Sequence, residues 1–441
     1  MHRCNDTSFF RLHINGYSST NCRPFCKMKR AYDRIEKMIK NNLVCLFVLG
    51  IVLDQFSDIL DEGSTTKRRC VATYHRSSFD TFMERHVIEN QNINKLLRMS
   101  RQSFDNLVLL LKDSLSVDET QAARRGGAVS PEFCLFITIR YLAGARYQDI
   151  CEMCNVSRTA VYAAIEKTMV AIVDHPELAL KFPKTEAECQ VVADGFLSIS
   201  SNQAIGNCVG AIDGFLMPIK VPTAKEVGNV TAYYLGHYAR YGINIQAICD
   251  SHCRFTFISA SAPGSVNDRV AYEHCKVDKL VEDLPSDYAL IADAAYAPSE
   301  QCLPMFYGSS RKNNARNDNY NYYASQLRIR IEMAFGMMTR KWLILDSPVK
   351  TNFNKSILMI YCIARLHNYC INQRLMRNGT INVNVRDVNV NPTVQMNNIG
   401  NPIATNDPNE YRSRGQSFNR EMIANELQQR GLVRQTQRLN K

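Results

Sequence analysis

The sequence predicts an α/β protein in which a sheet-forming part follows an α-helical segment, and two changes of pattern predict it. From residue 31 to about 200 the apolar residues recur at helical spacing, whereas between 206 and 293 they collect into short β-rich runs punctuated by Pro, Gly, Asn and Asp. Helical spacing returns around 323–342 and 355–372. Strands first and helices after is the order of a layered α/β arrangement rather than of a barrel of hairpins.

At 441 residues the chain exceeds one comfortable core, so two domains with extensions are expected. Lys and Arg outnumber Asp and Glu by 53 to 42, a formal charge of +11 that favours an anionic partner such as nucleic acid. Charge by itself does not separate DNA from an acidic membrane. The strongest apolar run, "LVCLFVLGIVL" at 43–53, is far shorter than the roughly 20 residues a membrane span needs. It reads as a buried or partner-facing helix, and no membrane is expected as a partner. The 16 cysteines are scattered and no secretory signal opens the chain, so reduced, packed thiols are expected. The close pairs Cys22/Cys26 and Cys151/Cys154 lack a second pair at zinc-finger spacing, which argues against zinc.

Residues 1–30 show no periodicity and are assigned no fold. Residues 31–200 are expected to form an α-helical domain; in "INKLLRMSRQSFDNLVLLLKDSL" the residues Leu97, Phe104, Leu107 and Leu111 fall near one face. Within it, 131–173 reads as three helices, with Gly144 and Asn155 as stops and Ser157 as the N-cap of the third. Val161, Ile165, Met169 and Ile172 then point inward, leaving Arg158, Thr159, Tyr162 and Lys167 outward, the polarity of a recognition helix entering a major groove. Any three-helix packing unit would show the same pattern, so the DNA reading depends on other evidence. Residues 201–372 carry the α/β part. From 373 the Asn-rich "NGTINVNVRDVNVNPTVQMNNIGNP" has little to bury and reads as a linker. In the closing "SFNREMIANELQQRGLVRQ", Ser417 caps a short basic helix carrying Met422, Ile423, Leu427 and Leu432, expected to dock on a partner.

Four carboxylates occur where surface solvation is not an obvious reason for them: Asp213, Asp268, Asp293 and Glu332. Asp213 interrupts the strand pattern "VGAIDGFLMPI", where an unpaired charge costs on the order of 2 kcal/mol or more. Asp293 ends the apolar "YALIAD", and the small Ala294 and Ala295 after it leave room for something to approach. Asp268 follows the turn in "APGSVNDRV", and Glu332 lies beside the inward stripe Leu327, Ile331, Ala334 and Met338 of a helix. Carboxylates gathered on strand ends and one helix repel each other unless a divalent cation is present, and hard Mg²⁺ (or Mn²⁺) takes such oxygen ligands. Two ions roughly 3.5 to 4 Å apart can activate water on one side of a phosphodiester and stabilise the leaving oxygen on the other. Taken singly, each acid has a plainer account: Asp213 in a turn with Gly214, Asp268 in an Asx-turn, Glu332 paired with Arg328 one helical turn away for ~0.3 to 0.5 kcal/mol. Their joint placement favours the metal. Residues 301–350 are basic, with Arg328, Arg330, Arg340 and Lys341 among the cations and Tyr320, Tyr322 and Tyr323 interleaved, a composition suited to a phosphate backbone with aromatic stacking.

"GAIDGF", "APGSVNDRVAYEHC", "LIADAAYAP" and "YNYYASQLRIRIEMAFGMMTRKW" follow one another in the order of the nuclease domain of PIF/Harbinger transposases and the host nucleases derived from them, and the chain resembles that family over roughly 95–372. The resemblance implies an RNase H-like fold whose DDE metal site is Asp213, Asp293 and Glu332, with Asp268 as a further ligand, and an upstream helix-turn-helix. It implies a nuclear enzyme that cuts DNA at terminal inverted repeats, works with a Myb-like DNA-binding protein and is open to homo-oligomer formation and to residence in the cytoplasm. Two positions depart from the family pattern: Phe215-Leu216 where many relatives have Thr-His, and Asn267 where they have His. The alternative these departures keep open is a domesticated, catalytically silent DNA-binding or protein-interaction module. Two carboxylates could also serve a glycosidase, but that explains neither the basic helix nor four acids.

Overall fold

Serine hydroxyls start several helices of the N-terminal half. Ser100, Ser130 and Ser157 each have extended backbone, and each side chain accepts the amide hydrogen of the residue three further on, satisfying a donor that a helix start leaves open. The computed structural model describes residues 78–90, 93–117, 128–236, 239–312, 314–378 and 417–434. All fall in one compact unit, Tyr74–Lys441. Residues 1–73, with the apolar run 43–53 and the Cys22/Cys26 pair, and the Asn-rich stretch 379–416 lie outside the described residues.

The helical part comprises α1 (Phe79–Asn90), α2 (Ile93–Leu97), α3 (Arg101–Leu115), α4 (Pro131–Leu142), α5 (Tyr147–Cys154), α6 (Arg158–Asp174) and α7 (Glu186–Ile199). Leu97, Phe104, Leu107 and Leu111 are all fully buried, as their spacing predicts. Phe79, Phe82, Phe104, Phe133 and Phe136 form the aromatic centre, with ring centroids 5.1 to 5.9 Å apart. Such pairs add roughly 0.5 to 1.5 kcal/mol each beyond the area they bury. The three helices expected over 131–173 are α4, α5 and α6; Asn155 ends α5 in the left-handed conformation that Asn tolerates.

Among the described residues six strands follow: β1 (Cys208–Ile219), β2 (Tyr234–Leu235), β3 (Arg240–Cys249), β4 (Phe255–Pro263), β5 (Ala289–Ala292) and β6 (Cys302–Pro304). β1 lies at the centre, antiparallel to β3 on one side and parallel to β5 on the other. β4 and the short β2 pair antiparallel with β3, and β6 extends the sheet parallel to β5. Alternation along the strands divides the buried side chains between two faces. Ala211, Ala247 and Ile291 meet α10 (Ala315–Lys341) and α11 (Phe353–Asn378). Val209, Ile212, Ile248 and Leu290 meet α7 and the pair α8 (Asp268–His274) and α9 (Val277–Glu282). The result is a mixed sheet with a helical layer on each face.

The last helix, α12 (Phe418–Gln429), is capped by Ser417, as the sequence indicates. It packs on its own chain rather than serving as a free docking element. Ile423, Ala424 and Leu427 are buried, Arg316 pairs with Glu421 and donates to Asn425 at 2.7 Å, and the Arg420 guanidinium sits 4.2 Å over the Phe306 ring. α10 and β6 already offer a face complementary to its apolar stripe and charges.

His367, on α11, ties the helical layer to the sheet: it is buried, and its Nε2–H donates to the Cys253 carbonyl at 2.8 Å. Burial pushes its pKa down to about 4, with Lys341 and Arg374 adding to the effect. The unfolded chain takes up a proton below about 6.5 that the folded chain refuses until about 4, so this contribution is full above pH 6.5 and lost as pH falls through that window. Urea unfolding at pH 7 and pH 4.5 is expected to show His367→Gln less acid-sensitive than wild type, by about 2 to 3 kcal/mol; equal acid sensitivity would contradict the buried neutral ring.

Candidate metal and nucleic-acid site

The β1/β5 register places Ile212 opposite Ala292, so Asp213, still on β1, and Asp293, the first residue past the end of the parallel β5, come next on the two neighbouring segments. By alternation both belong to the face covered by α10, whose residues Leu327, Ile331, Ala334 and Met338 are fully buried against it. That packing fixes the rotation of α10 and presents Arg328 and Glu332 one turn apart to the strand ends. Arg328 Nη1 pairs with Glu332 Oε1 and lies 3.6 Å from Asp213 Oδ2. The pair that sequence spacing offers as a plain helix contact is real, but it is largely buried and has Asp213 as a third member.

Asp268 reaches the site from behind. Gly214 has no side chain, and a Cβ there would stand 2.0 Å from Asp268 Oδ1, so the carboxylate occupies the space this glycine leaves on the opposite face of β1. Asn244 Nδ2 and Gln246 Nε2 each donate to Asp268 Oδ1 at 3.1 Å, and the buried Tyr296 hydroxyl donates to Gln246 Oε1 at 2.8 Å. Asn244, Gln246 and Tyr296 are site residues that the sequence reading missed. The signal was there: two amides at alternate positions of the otherwise apolar "INIQAIC" must share one face and need a partner.

Charge dominates the site. Burial raises the Asp213 carboxyl well above its ordinary value, Asp268 and Asp293 push it further, and Arg328 and the Gly214 N–H, 2.8 Å away, oppose them. Asp268 is raised by burial against the two amide donors, with Asp293 adding to the rise. Burial works against the Arg328 cation, yet Glu332, Asp213 and Asp293 outweigh it and hold the guanidinium above its usual value. Among the described residues no group of three or more His, Cys, Asp and Glu side chains is arranged to hold a metal ion. The donor chemistry nonetheless fits one: buried, mutually repelling carboxylates with oxygen donors only are what a hard divalent cation takes, and Arg328 supplies part of that positive charge.

The expected DNA contacts lie in three places. Arg158, Thr159 and Tyr162 are exposed on the first turns of α6, with the Arg158 guanidinium 4.7 Å over the Tyr147 ring, while Val161, Ile165, Met169 and Ile172 are buried. Lys167 is also exposed, but its Nζ donates to the Ser116 carbonyl at 2.7 Å. Arg328 stands among the carboxylates, and Arg330 lies beside the buried Cys253 thiol. Arg340 and Lys341 border a cleft at the end of α10. Tyr320 and Tyr323 are buried in the core, with the Tyr320 hydroxyl donating to the Leu303 carbonyl, so neither is a stacking platform for bases. The two departures from the family pattern have local reasons: Phe215 stacks on Phe335 at 5.3 Å, and Asn267 caps α8 by accepting from the Val270 amide.

Arg328→Met leaves the buried Asp213 and the partly buried Glu332 without their cation. It is expected to cost about 3 kcal/mol in urea unfolding, part of it recovered on adding Mn²⁺; unchanged stability would contradict the charge balance described.

Residues 212–368 match the DDE superfamily endonuclease family. The chain is 21% identical over 286 residues to "Putative nuclease HARBI1" of Bos taurus, covering 64% of this chain and 78% of that protein. Identity to the protein of the same name from Homo sapiens is 20%, with the same coverage. "Protein ALP1-like" of Arabidopsis thaliana is 21% identical over 299 residues, covering 64% of this chain and 71% of its own length. No solved structure matches the chain.

Proposed function

Since residues 212–368 match the DDE superfamily endonuclease family, we propose that the chain is a divalent-metal-dependent DNA endonuclease of transposase descent, hydrolysing phosphodiester bonds at specific DNA ends. The register of β1 and β5 carries this function, because it sets Asp213 beside Asp293 on the face to which Arg328 ties Glu332. Asp213, Asp293 and Glu332 are the groups that would hold Mg²⁺ or Mn²⁺; Asp268, expected as a further ligand, stands on the opposite face of β1 and acts through its charge. Bound there, such ions supply a water nucleophile active at neutral pH and charge stabilisation at the leaving oxygen.

The chain's own residues prepare that chemistry. Asn244, Gln246 and Tyr296 fix Asp268, which raises the negative potential at Asp213 and so its affinity for a cation. Arg328, released from Glu332 and Asp213, is left as a positive charge for the phosphate being cut. The mixed sheet with helices on both faces is consistent with the RNase H-like fold of this family. In the same reading α4 to α6 are a helix-turn-helix whose Arg158, Thr159 and Tyr162 enter a groove, with 31–200 the DNA-binding part and 201–372 the cutting part. Arg330, Arg340 and Lys341 would add to the backbone contacts. Nuclear action, a Myb-like helper and assembly with further copies complete the reading on family resemblance.

One observation favours a second reading, a catalytically silent DNA-binding module: the Arg328 guanidinium already satisfies Glu332 and approaches Asp213. Purified protein supplied with Mg²⁺ or Mn²⁺ and terminal-repeat DNA separates the two. Cleavage by wild type is expected to fall by more than about 100-fold in Asp213→Asn and Asp293→Asn, since even residues that only orient metal ligands are worth about 10- to 100-fold. Equal cutting by wild type and Asp293→Asn would refute the mechanism. Sequence-specific binding without cutting would establish the silent module.

A further inference from the structure

Lys95, Arg98, Arg340, Lys341 and Arg374 converge on one cleft of about 550 Å³, and among the described residues no acidic residue lines it. It opens between α2, the last turn of α10 and α11, and its volume lies within the ~300 to 1,000 Å³ common for ligand sites. Met337, Cys370 and Ile371 give it a partly apolar lining, against which charge interactions are less screened than in open water. Elsewhere arginines find carboxylates: Arg101 with Asp80 and Asp105, Arg254 with Asp250, Arg316 with Glu421. Among the described residues Arg340, Lys341 and Arg374 make no ion pair.

Arg98 adds an independent observation. Its backbone is left-handed, φ 57°, a conformation that costs a residue with a side chain and persists only where the surroundings enforce it. From there it donates to the Ala143 carbonyl at 3.4 Å, while its Nε is buried without a partner. Arg140 lies close enough to Arg98 that, after burial, its charge lowers the Arg140 pKa. The C-terminal dipole of α10 accounts for Arg340 and Lys341 in its last turn, but it is equivalent to roughly half a charge and reaches only the last turn. It does not account for Arg98 or Arg374.

We propose that this cleft is a phosphate-binding site separate from the carboxylate site. Arg340 lies eight residues beyond Glu332 on α10, about 12 Å along the helix axis. Guanidinium and ammonium groups around a pocket without carboxylates suit a phosphate group, which accepts several charge-assisted hydrogen bonds at once. That phosphate comes either from a DNA backbone or from a free phosphorylated small molecule; the first source rests on the endonuclease reading and the second does not.

The test is calorimetric titration of the full chain with inorganic pyrophosphate in the presence of a chelator, for wild type, Arg340→Gln, Arg374→Gln and Asp293→Asn. Arg340 and Arg374 are exposed, so their loss leaves the fold in place, which thermal unfolding checks. Wild type and Asp293→Asn are expected to bind at one saturable site, weakened about 10-fold or more in each arginine variant. Absence of saturable binding, or binding that neither arginine variant weakens, overturns the proposal. If Arg374→Gln also weakens binding of a DNA duplex and lowers its salt slope by about 1, the DNA backbone is the source. If duplex binding is unchanged while pyrophosphate is lost, the source is a free phosphorylated molecule. Pyrophosphate binding in a protein that cuts no DNA upholds the cleft and refutes the endonuclease alone.

Discussion

The guanidinium of Arg328, set between Glu332 and Asp213, is the contact on which the rest of the site depends. Asp213 is buried beside Asp293 and Glu332, and a buried carboxylate among like charges needs a nearby cation to stay charged. Long-range packing places this one. Leu327, Ile331, Ala334 and Met338 bury one stripe of α10 against the sheet, and that stripe decides that Arg328 and Glu332, rather than the exposed Ile329 or Arg340, face the strand ends. A rotation of α10 by one residue, about 100°, would take both away from Asp213.

The sheet divides the acids between its two faces. Asp213 and Asp293 share the α10 side, where they lie within the field of Arg328. Asp268 stands behind β1 in the space left by Gly214, held by the amides of Asn244 and Gln246. Its charge still bears on Asp213 through the thin glycine backbone. One side of the sheet thus presents the carboxylates of Asp213 and Asp293 while Asp268 on the other raises the Asp213 carboxyl, with Gly214 between the two.

Much of this was legible in the sequence because it is local. Helical stripes such as Val161, Ile165, Met169 and Ile172, the caps at Ser157 and Ser417, and the strand-ending Asp293 all follow from spacing and residue chemistry within one element. What escaped depends on partners far along the chain. Tyr320 and Tyr323 read as a stacking surface but are core, since the face they occupy is set by where α10 meets the sheet. The closing helix read as a partner's docking element because its complement, Arg316 on α10, lies across a long intervening stretch. Asn244 and Gln246 stood out from their apolar strand, yet only strand pairing and the turn into α8 show that Asp268 is what they hold.

The proposed function requires that the carboxylates of Asp213, Asp293 and Glu332 form one cation site in which Arg328 is an exchangeable occupant. Anomalous diffraction at the manganese edge, from crystals equilibrated with Mn²⁺, tests it most directly. A peak is expected within metal–oxygen distance, about 2 to 2.6 Å, of Asp213 and Asp293, with Glu332 turned toward it and away from Arg328. An intact Arg328–Glu332 pair and no peak between the two aspartates at saturating Mn²⁺ would contradict it.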